Sequence, residues 1–240
     1  MDHVDDWAPV AAGWARWWAP VAEPAQRALL AAAGLAPGWR VLDVGCGSGE
    51  LLALLDDAGA TPAGCDPSPA MAALARDRCP RADVRVAAAE DLPWPDDAFD
   101  LVTAVNALSF TDVGPALREA ARVGRRVAVA SWAEDERNDL TVLERALAGE
   151  DHVPSGEERE PGYLGALLAS HGLTVVDERL TPTPMVLPDA TALVHALTAG
   201  ADDEDRAELA PGLLTAAAAF RQDDGRYVLR NAFRWAVATR

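Results

Sequence analysis

The sequence predicts a single α/β domain built on a mostly parallel sheet covered on both faces. Three observations carry that expectation. Strand-length apolar segments alternate with helix-length segments at the spacing of βαβ units. The strand at 40–44 runs directly into the glycine-rich stretch 45–49 and then into a helix. A chain of 240 residues, 50% hydrophobic and 25% charged, is long enough for one well-buried core and a small cap.

The elements follow in order. The N-terminal segment reads as a helix with Val10, Trp14, Trp17 and Val21 on one stripe and Pro9 in its first turn. A second helix spans about 23–33 and ends at Gly34. Pro37-Gly38 turns the chain into the strand at 40–44. After the glycines, 50–55 is a helix closed near Gly59. Residues 63–66 read as strand, 67–78 as helix, 84–87 as strand and 99–105 as a strongly apolar buried strand. Helix is expected at 112–123 and strand at 126–131. Beyond Trp132 the pattern loosens, and 134–160 is too charged to assign. Helix is then expected at 163–170, strand at 173–179, helices at 189–199 and 204–220, and one last half-covered strand at 227–238. The expected organisation is one domain over 1–240, with N-terminal helices to 34, a core at 35–132 and a cap with the last two strands at 133–240.

Composition narrows the function. A formal charge of −17 would repel nucleic acid, whose binders gain affinity by neutralising phosphates. The run Arg118, Arg122, Arg125, Arg126 reads as a solvated helix face rather than a basic patch. Arg, Asp or Pro interrupts every apolar run before it could span a bilayer, and the acidic start at 1–6 lacks the plan of a signal peptide, so a cytoplasmic protein is expected. Cys46, Cys65 and Cys79 form no C-x-x-C pair and suggest neither a disulfide framework nor a metal site. The lack of Lys and Ile suggests a GC-rich bacterial gene. A small-molecule partner is expected, and a homodimer is compatible with the sequence.

The strongest chemical signal is Val41-Leu42-Asp43-Val44-Gly45-Cys46-Gly47-Ser48-Gly49. Glycines between a strand and a helix let bare backbone approach a ligand where helix N–H groups point outward. The dinucleotide pattern G-x-G-x-x-G would need Gly at position 50, which is Glu50. Asp43 would sit poorly beside a pyrophosphate and well beside an ammonium, so a ligand carrying both ammonium and carboxylate suits the loop. Asp66 ends the second strand 21 residues after Gly45, the separation at which a carboxylate meets a ribose diol; its other reading is a cap for the helix that follows. Asn106, past the fourth strand, either faces the same crevice or caps the next turn.

Asp43-x-Gly45-x-Gly47-x-Gly49 resembles the first motif of the class I S-adenosylmethionine-dependent methyltransferases. The resemblance implies a three-layer Rossmann-like sandwich: a mostly parallel seven-stranded sheet, an antiparallel C-terminal strand and extra helices as a cap. It implies S-adenosylmethionine as cofactor, with Asp43, Gly45, Cys46, Gly47 and Gly49 around its methionine part and Asp66, Pro67 and Met71 at the ribose. Ala89 and Glu90 would lie on the adenine side, and Asn106 beside them. Many relatives carry Asp where this chain has Ala88.

The resemblance further implies methyl transfer to a small acceptor. Such a displacement needs alignment above all, and no catalytic residue is assigned. Trp14, Trp17 and Trp18 either fold over the cofactor mouth or pack their helix on the sheet; Phe110 and His152 are the other acceptor-side candidates. His152 and His195 read more readily as surface residues than as bases, and His3 and His171 have less claim. Two competing readings stand beside this one. A nicotinamide-dependent oxidoreductase is disfavoured by Glu50, and a non-catalytic binding protein of the same fold is kept open by Ala88. Asn106-Ala107-Leu108-Ser109 lacks the Asn/Asp-Pro-Pro-aromatic motif of nucleic-acid methyltransferases.

Overall fold

The computed structural model describes residues 7–240; Met1 to Asp6, with His3, lie outside them. Five parallel strands come first: β1 (Arg40–Val44), β2 (Thr61–Asp66), β3 (Asp83–Val86), β4 (Leu101–Val105) and β5 (Arg126–Trp132). They are joined through helices α3 (Glu50–Asp57), α4 (Pro69–Arg78) and α5 (Val113–Val123), while α1 (Ala11–Trp17) and α2 (Glu23–Ala32) precede them. After α6 (Leu140–Ala148) and α7 (Tyr163–Ser170) come β6 (Thr174–Pro182) and β7 (Met185–Leu187). Helices α8 (Ala190–Leu197) and α9 (Asp203–Ala216) lead to β8 (Tyr227–Leu229) and β9 (Ala232–Thr239).

The main sheet has seven strands in the order β3-β2-β1-β4-β5-β9-β6. Strand β9 runs antiparallel to both β5 and β6, and the remaining pairs are parallel. Strand order therefore reverses between β1 and β4, where an open α/β sheet leaves a crevice at its carboxyl edge.

Alternation along the strands sorts side chains between two layers. Leu42, Val102 and Val127 face the layer holding Leu117 of α5 and Leu168 of α7. Val41, Leu101 and Ala128 face the other, with Leu29 of α2, Leu52 of α3 and Ala72 of α4. A third core joins Val21, Leu140, Leu143, Leu187, Leu193 and Leu229 into the cap.

Several expectations are corrected. The expected last strand splits at Asn231, whose carbonyl accepts from Thr183 N–H (2.7 Å) and whose Oδ1 accepts from Leu140 N–H (3.2 Å). The first half pairs with β7 as a separate two-stranded sheet; β7 is only three residues between Pro184 and Pro188, too short to show a period. The unassigned 134–160 contains α6 and short 3₁₀ turns. Helix α1 stops at Trp17 and gives way to a 3₁₀ turn over Ala19–Ala22, where Pro20 has no N–H to continue the α-helical ladder. Val10 is the N-cap and Val21 lies beyond the helix, so the four-residue stripe does not form. Among the described residues no helix is long and apolar enough to cross a membrane.

Candidate functional site

The carboxyl ends of β1, β2 and β4 open onto one cleft of about 650 Å³, within the roughly 300–1,000 Å³ range of small-molecule pockets. Asp43, Asp66 and Asn106 all line it. Its floor is shaped by backbone. Gly45, Gly47 and Gly49 have φ of 69°, 50° and 86°, the left-handed region that side chains rarely adopt. A Cβ on Gly45 would lie 2.5 Å from Ala107 Cβ, and one on Gly49 would lie 2.8 Å from Ala75 Cα. Gly45 and Gly47 line the cleft; Gly49 does not. Gly49 instead lets α3 start against α4, which corrects its expected place beside the ligand.

Two carboxylates hold the loop in place. Asp66 is buried; Oδ2 accepts from Gly47 N–H (2.9 Å) and Oδ1 from Ser68 N–H (3.0 Å). The N-cap of α4 is Ser68, whose Oγ accepts from Met71 N–H (3.1 Å). Glu50 accepts from Ser48 Oγ (2.7 Å) and pairs with Arg78 (2.7 Å), while Arg78 Nε also donates to the Ser48 carbonyl (2.8 Å). The sequence reading missed Arg78, which lies on α4 and reaches the loop only in the folded chain.

Asp43 sits opposite its register partner Thr103, whose hydroxyl donates to Asp43 Oδ1 (2.8 Å). Burial pushes the Asp43 carboxyl up to about 7. The Thr103 hydrogen bond opposes the rise, and the charges of Asp66 and Glu50 add to it. Cys46 also lines the cleft, and burial raises its thiol far above the ordinary value, so it packs rather than reacts.

On the far side Pro67, Met71, Ala88, Ala89 and Glu90 line the cleft. Ala88 is exposed and Ala89 buried. Glu90 Oε1 accepts from Asp112 N–H (2.7 Å), tying this loop to the start of α5. Arg122 of α5 fastens the same loop further on, donating to the carbonyls of Leu92 (3.0 Å) and Trp94 (2.8 Å). Its neighbours in the arginine run pair locally, Arg125 with Asp100 (3.9 Å) and Arg126 over the Trp39 ring (4.9 Å). Asn106 has φ of 56°, and its N–H donates to Ala130 O (2.8 Å).

The roof is aromatic. Phe110 meets Trp7 edge to face (5.4 Å between centroids), Trp7 meets Trp14 likewise (5.2 Å), and Trp14 stacks on Trp18 (6.0 Å). Trp18 then meets Trp132 at the end of β5 (6.4 Å), and its indole N–H donates to Ala196 O on α8 (2.8 Å). All five rings line the cleft.

Trp17 does not line it: Trp14 and Trp18 are one helical turn apart, whereas Trp17 turns to the third core with Arg16 over its ring (4.5 Å). His152 also lies outside the lining and accepts from Arg145 Nε (3.2 Å). His195 is exposed, and His171 closes α7 through Leu167 O (3.0 Å). Trp7, Gln26, Thr103 and Trp132 belong to the site without having been singled out; an aromatic at a strand's carboxyl end was the legible sign for Trp132.

Among the described residues lining the cleft, Asp43, Glu50, Asp66 and Glu90 are acidic and none is Arg, Lys or His. Those acceptors fit a cationic ligand with a hydroxylated middle. Among the described residues no group of three or more His, Cys, Asp or Glu could hold a metal ion.

The family described as "Methyltransferase domain" matches residues 42–129. Methyltransferase GfsG of Streptomyces halstedii is 33% identical over 204 residues, covering 74% of this chain and 71% of its own. A demethylmenaquinone methyltransferase of Tropheryma whipplei is 35% identical over 118 residues, covering 47% of this chain and 49% of its own. Across several curated relatives, that enzyme included, the chain spans 32% to 49% of their length. The YcgJ protein of Bacillus subtilis shares the fold at a TM-score of 0.59 and 20% identity, covering 90% of this chain and 97% of that one.

Proposed function

The chain belongs to the class I S-adenosylmethionine-dependent methyltransferases, and from that membership we propose that it methylates a small, largely apolar acceptor held beneath the aromatic roof. One observation carries the reading: Asp43, Asp66 and the glycine loop converge on a single cleft whose lining, among the described residues, has four carboxylates and no cationic side chain.

S-adenosylmethionine, when bound, supplies a methyl group already activated on a cationic sulfur. Asp43 receives the ammonium of its amino-acid part, in the ionised form that a nearby cation favours. Gly45, Cys46 and Gly47 present backbone beside that part. Asp66, backed by Gly47 and Ser68, takes the ribose hydroxyls in charge-assisted hydrogen bonds. Pro67 and Met71 pack the ribose side, Ala89 and Glu90 border the base, and Asn106 flanks the crevice. Trp14, Trp18, Trp132 and Phe110 seat the acceptor and exclude water.

Alignment of the acceptor atom, the methyl and the sulfur supplies the rate, worth up to about 7–11 kcal/mol. The demethylmenaquinone relative supports a small ring acceptor. The net charge of −17 disfavours nucleic acid as acceptor. We read the chain as one domain, with N-terminal helices at 1–34, a cofactor-binding core at 35–132 and acceptor-side helices with the last two strands at 133–240, working in the cytoplasm.

Calorimetry is the direct test. S-adenosylmethionine and S-adenosylhomocysteine should both bind the purified protein and NADH should not. Binding of NADH alone would overturn the assignment.

A further inference from the structure

One buried side-chain oxygen in the cleft has no hydrogen-bond partner among the described residues. Gln26 on α2 is 6% exposed and lines the cleft, and its Oε1 accepts no hydrogen bond. A buried amide oxygen left without a donor is costly, and a polar ligand in the cleft would supply one.

Its position says which part of the ligand. Strand parity puts Val41, and therefore Asp43 two residues on, on the face that carries α2. Leu101 and Thr103, and Ala130 and Trp132, share that parity. Ala25, next to Gln26 on α2, and Ala22, the N-cap of that helix, pack in one cluster with Cys46 of the glycine loop and Leu51 in the first turn of α3. Gln26 thus stands over the loop on Asp43's side of the sheet.

The chemistry is complementary. Asp43 can neutralise an ammonium, but no Arg, Lys or His among the described lining residues can meet the carboxylate beside it. Neutral donors must do so, and a carboxamide offers an NH₂ donor next to an oxygen acceptor. We propose that Gln26 positions the amino-acid end of the cofactor, its NH₂ donating to the carboxylate and its oxygen accepting from the ammonium. This rests on the methyltransferase reading and assigns a residue to the end of the ligand opposite Asp66.

The test compares two ligands that differ only in that end. S-adenosylhomocysteine carries it, and 5′-methylthioadenosine lacks it. Gln26→Met keeps the length of the side chain and removes its polarity. Binding of S-adenosylhomocysteine should weaken about tenfold, while 5′-methylthioadenosine changes by less than about twofold. The ligand-free variant should melt at the wild-type temperature or about 2–4 °C above it, because an unsatisfied buried group has gone. Gln26→Glu, which sets a charge against the carboxylate, should weaken S-adenosylhomocysteine further and again spare the shorter ligand.

Equal weakening of both ligands, or unchanged S-adenosylhomocysteine binding in both variants, would overturn the role of Gln26 while leaving the methyltransferase reading intact. Failure of the wild-type protein to bind either ligand would overturn both.

Discussion

The floor of the cleft is made of backbone, contributed by glycines in left-handed conformations and anchored by Asp66, Glu50 and Arg78. The roof is made of side chains, from Trp7 through Trp132, touching ring to ring across more than a hundred residues of sequence. At Gly45 and Gly49 the floor tolerates no added atom, since Ala107 and Ala75 already fill the space beside them. The roof can lose a ring and still close in part. Substitutions in the floor should therefore act all or none, and those in the roof by degree.

The sharpest contrast is Gly45→Ala against Gly59→Ala. Both glycines have positive φ, but an added methyl at Gly45 meets Ala107 at 2.5 Å, whereas at Gly59 it meets Pro37 at an ordinary 3.5 Å. Gly45→Ala should lose cofactor binding by more than about a hundredfold, while Gly59→Ala should lose about 1–2 kcal/mol of stability and bind normally. Calorimetry with melting curves reads both, and normal binding by Gly45→Ala would break the division between floor and roof.

Asp66→Asn comes next. It keeps one oxygen for Gly47 or Ser68 but loses the charge, and should weaken adenosine-bearing ligands tenfold or more. Trp14→Ala should raise the acceptor KM about tenfold through lost apolar contact, whereas Trp17→Ala should lower the melting temperature alone. Equal kinetic effects from the two would place the roof wrongly.

Asp43 gives a pH test with a definite sign. Its carboxyl titrates near 7 when folded and near 3.8 when free, so the folded chain holds the extra proton between those values. Stability from this group falls as pH rises through that window and levels above about 7. Affinity for the cationic cofactor runs the other way, about tenfold weaker at pH 6 than at pH 8. Asp43→Asn should flatten both profiles. The smallest effect is expected from Arg78→Ala, which loosens the loop and should raise the cofactor Kd a few-fold.

The same contrast explains what could be read from the residues alone. The floor was legible because strand, glycines and helix are consecutive, so Asp43, Gly45, Gly47 and Asp66 declare themselves by spacing. The alternation of elements likewise pointed to the parallel part of the sheet, while the antiparallel β9 was implied by the family resemblance. The roof was only half legible: a helical period groups Trp14 with Trp17, but Pro20 ends that helix early and the cleft takes Trp14 with Trp18. Gln26 and Thr103 carry no motif: Thr103 matters through Asp43 on the neighbouring strand, and Gln26 through the place on the cleft wall that folding gives it. The split of the last strand depends on Asn231, whose partners lie at Leu140 and Thr183.

The arch of rings also makes the protein its own optical probe. Four of its eight tryptophans, at 7, 14, 18 and 132, border the cleft, so half of the intrinsic fluorophores sit where a purine or a flat acceptor would quench them. Emission should then follow occupancy without any label, and replacing Trp39 or Trp94, which stand outside the lining, would darken the background while sparing the signal.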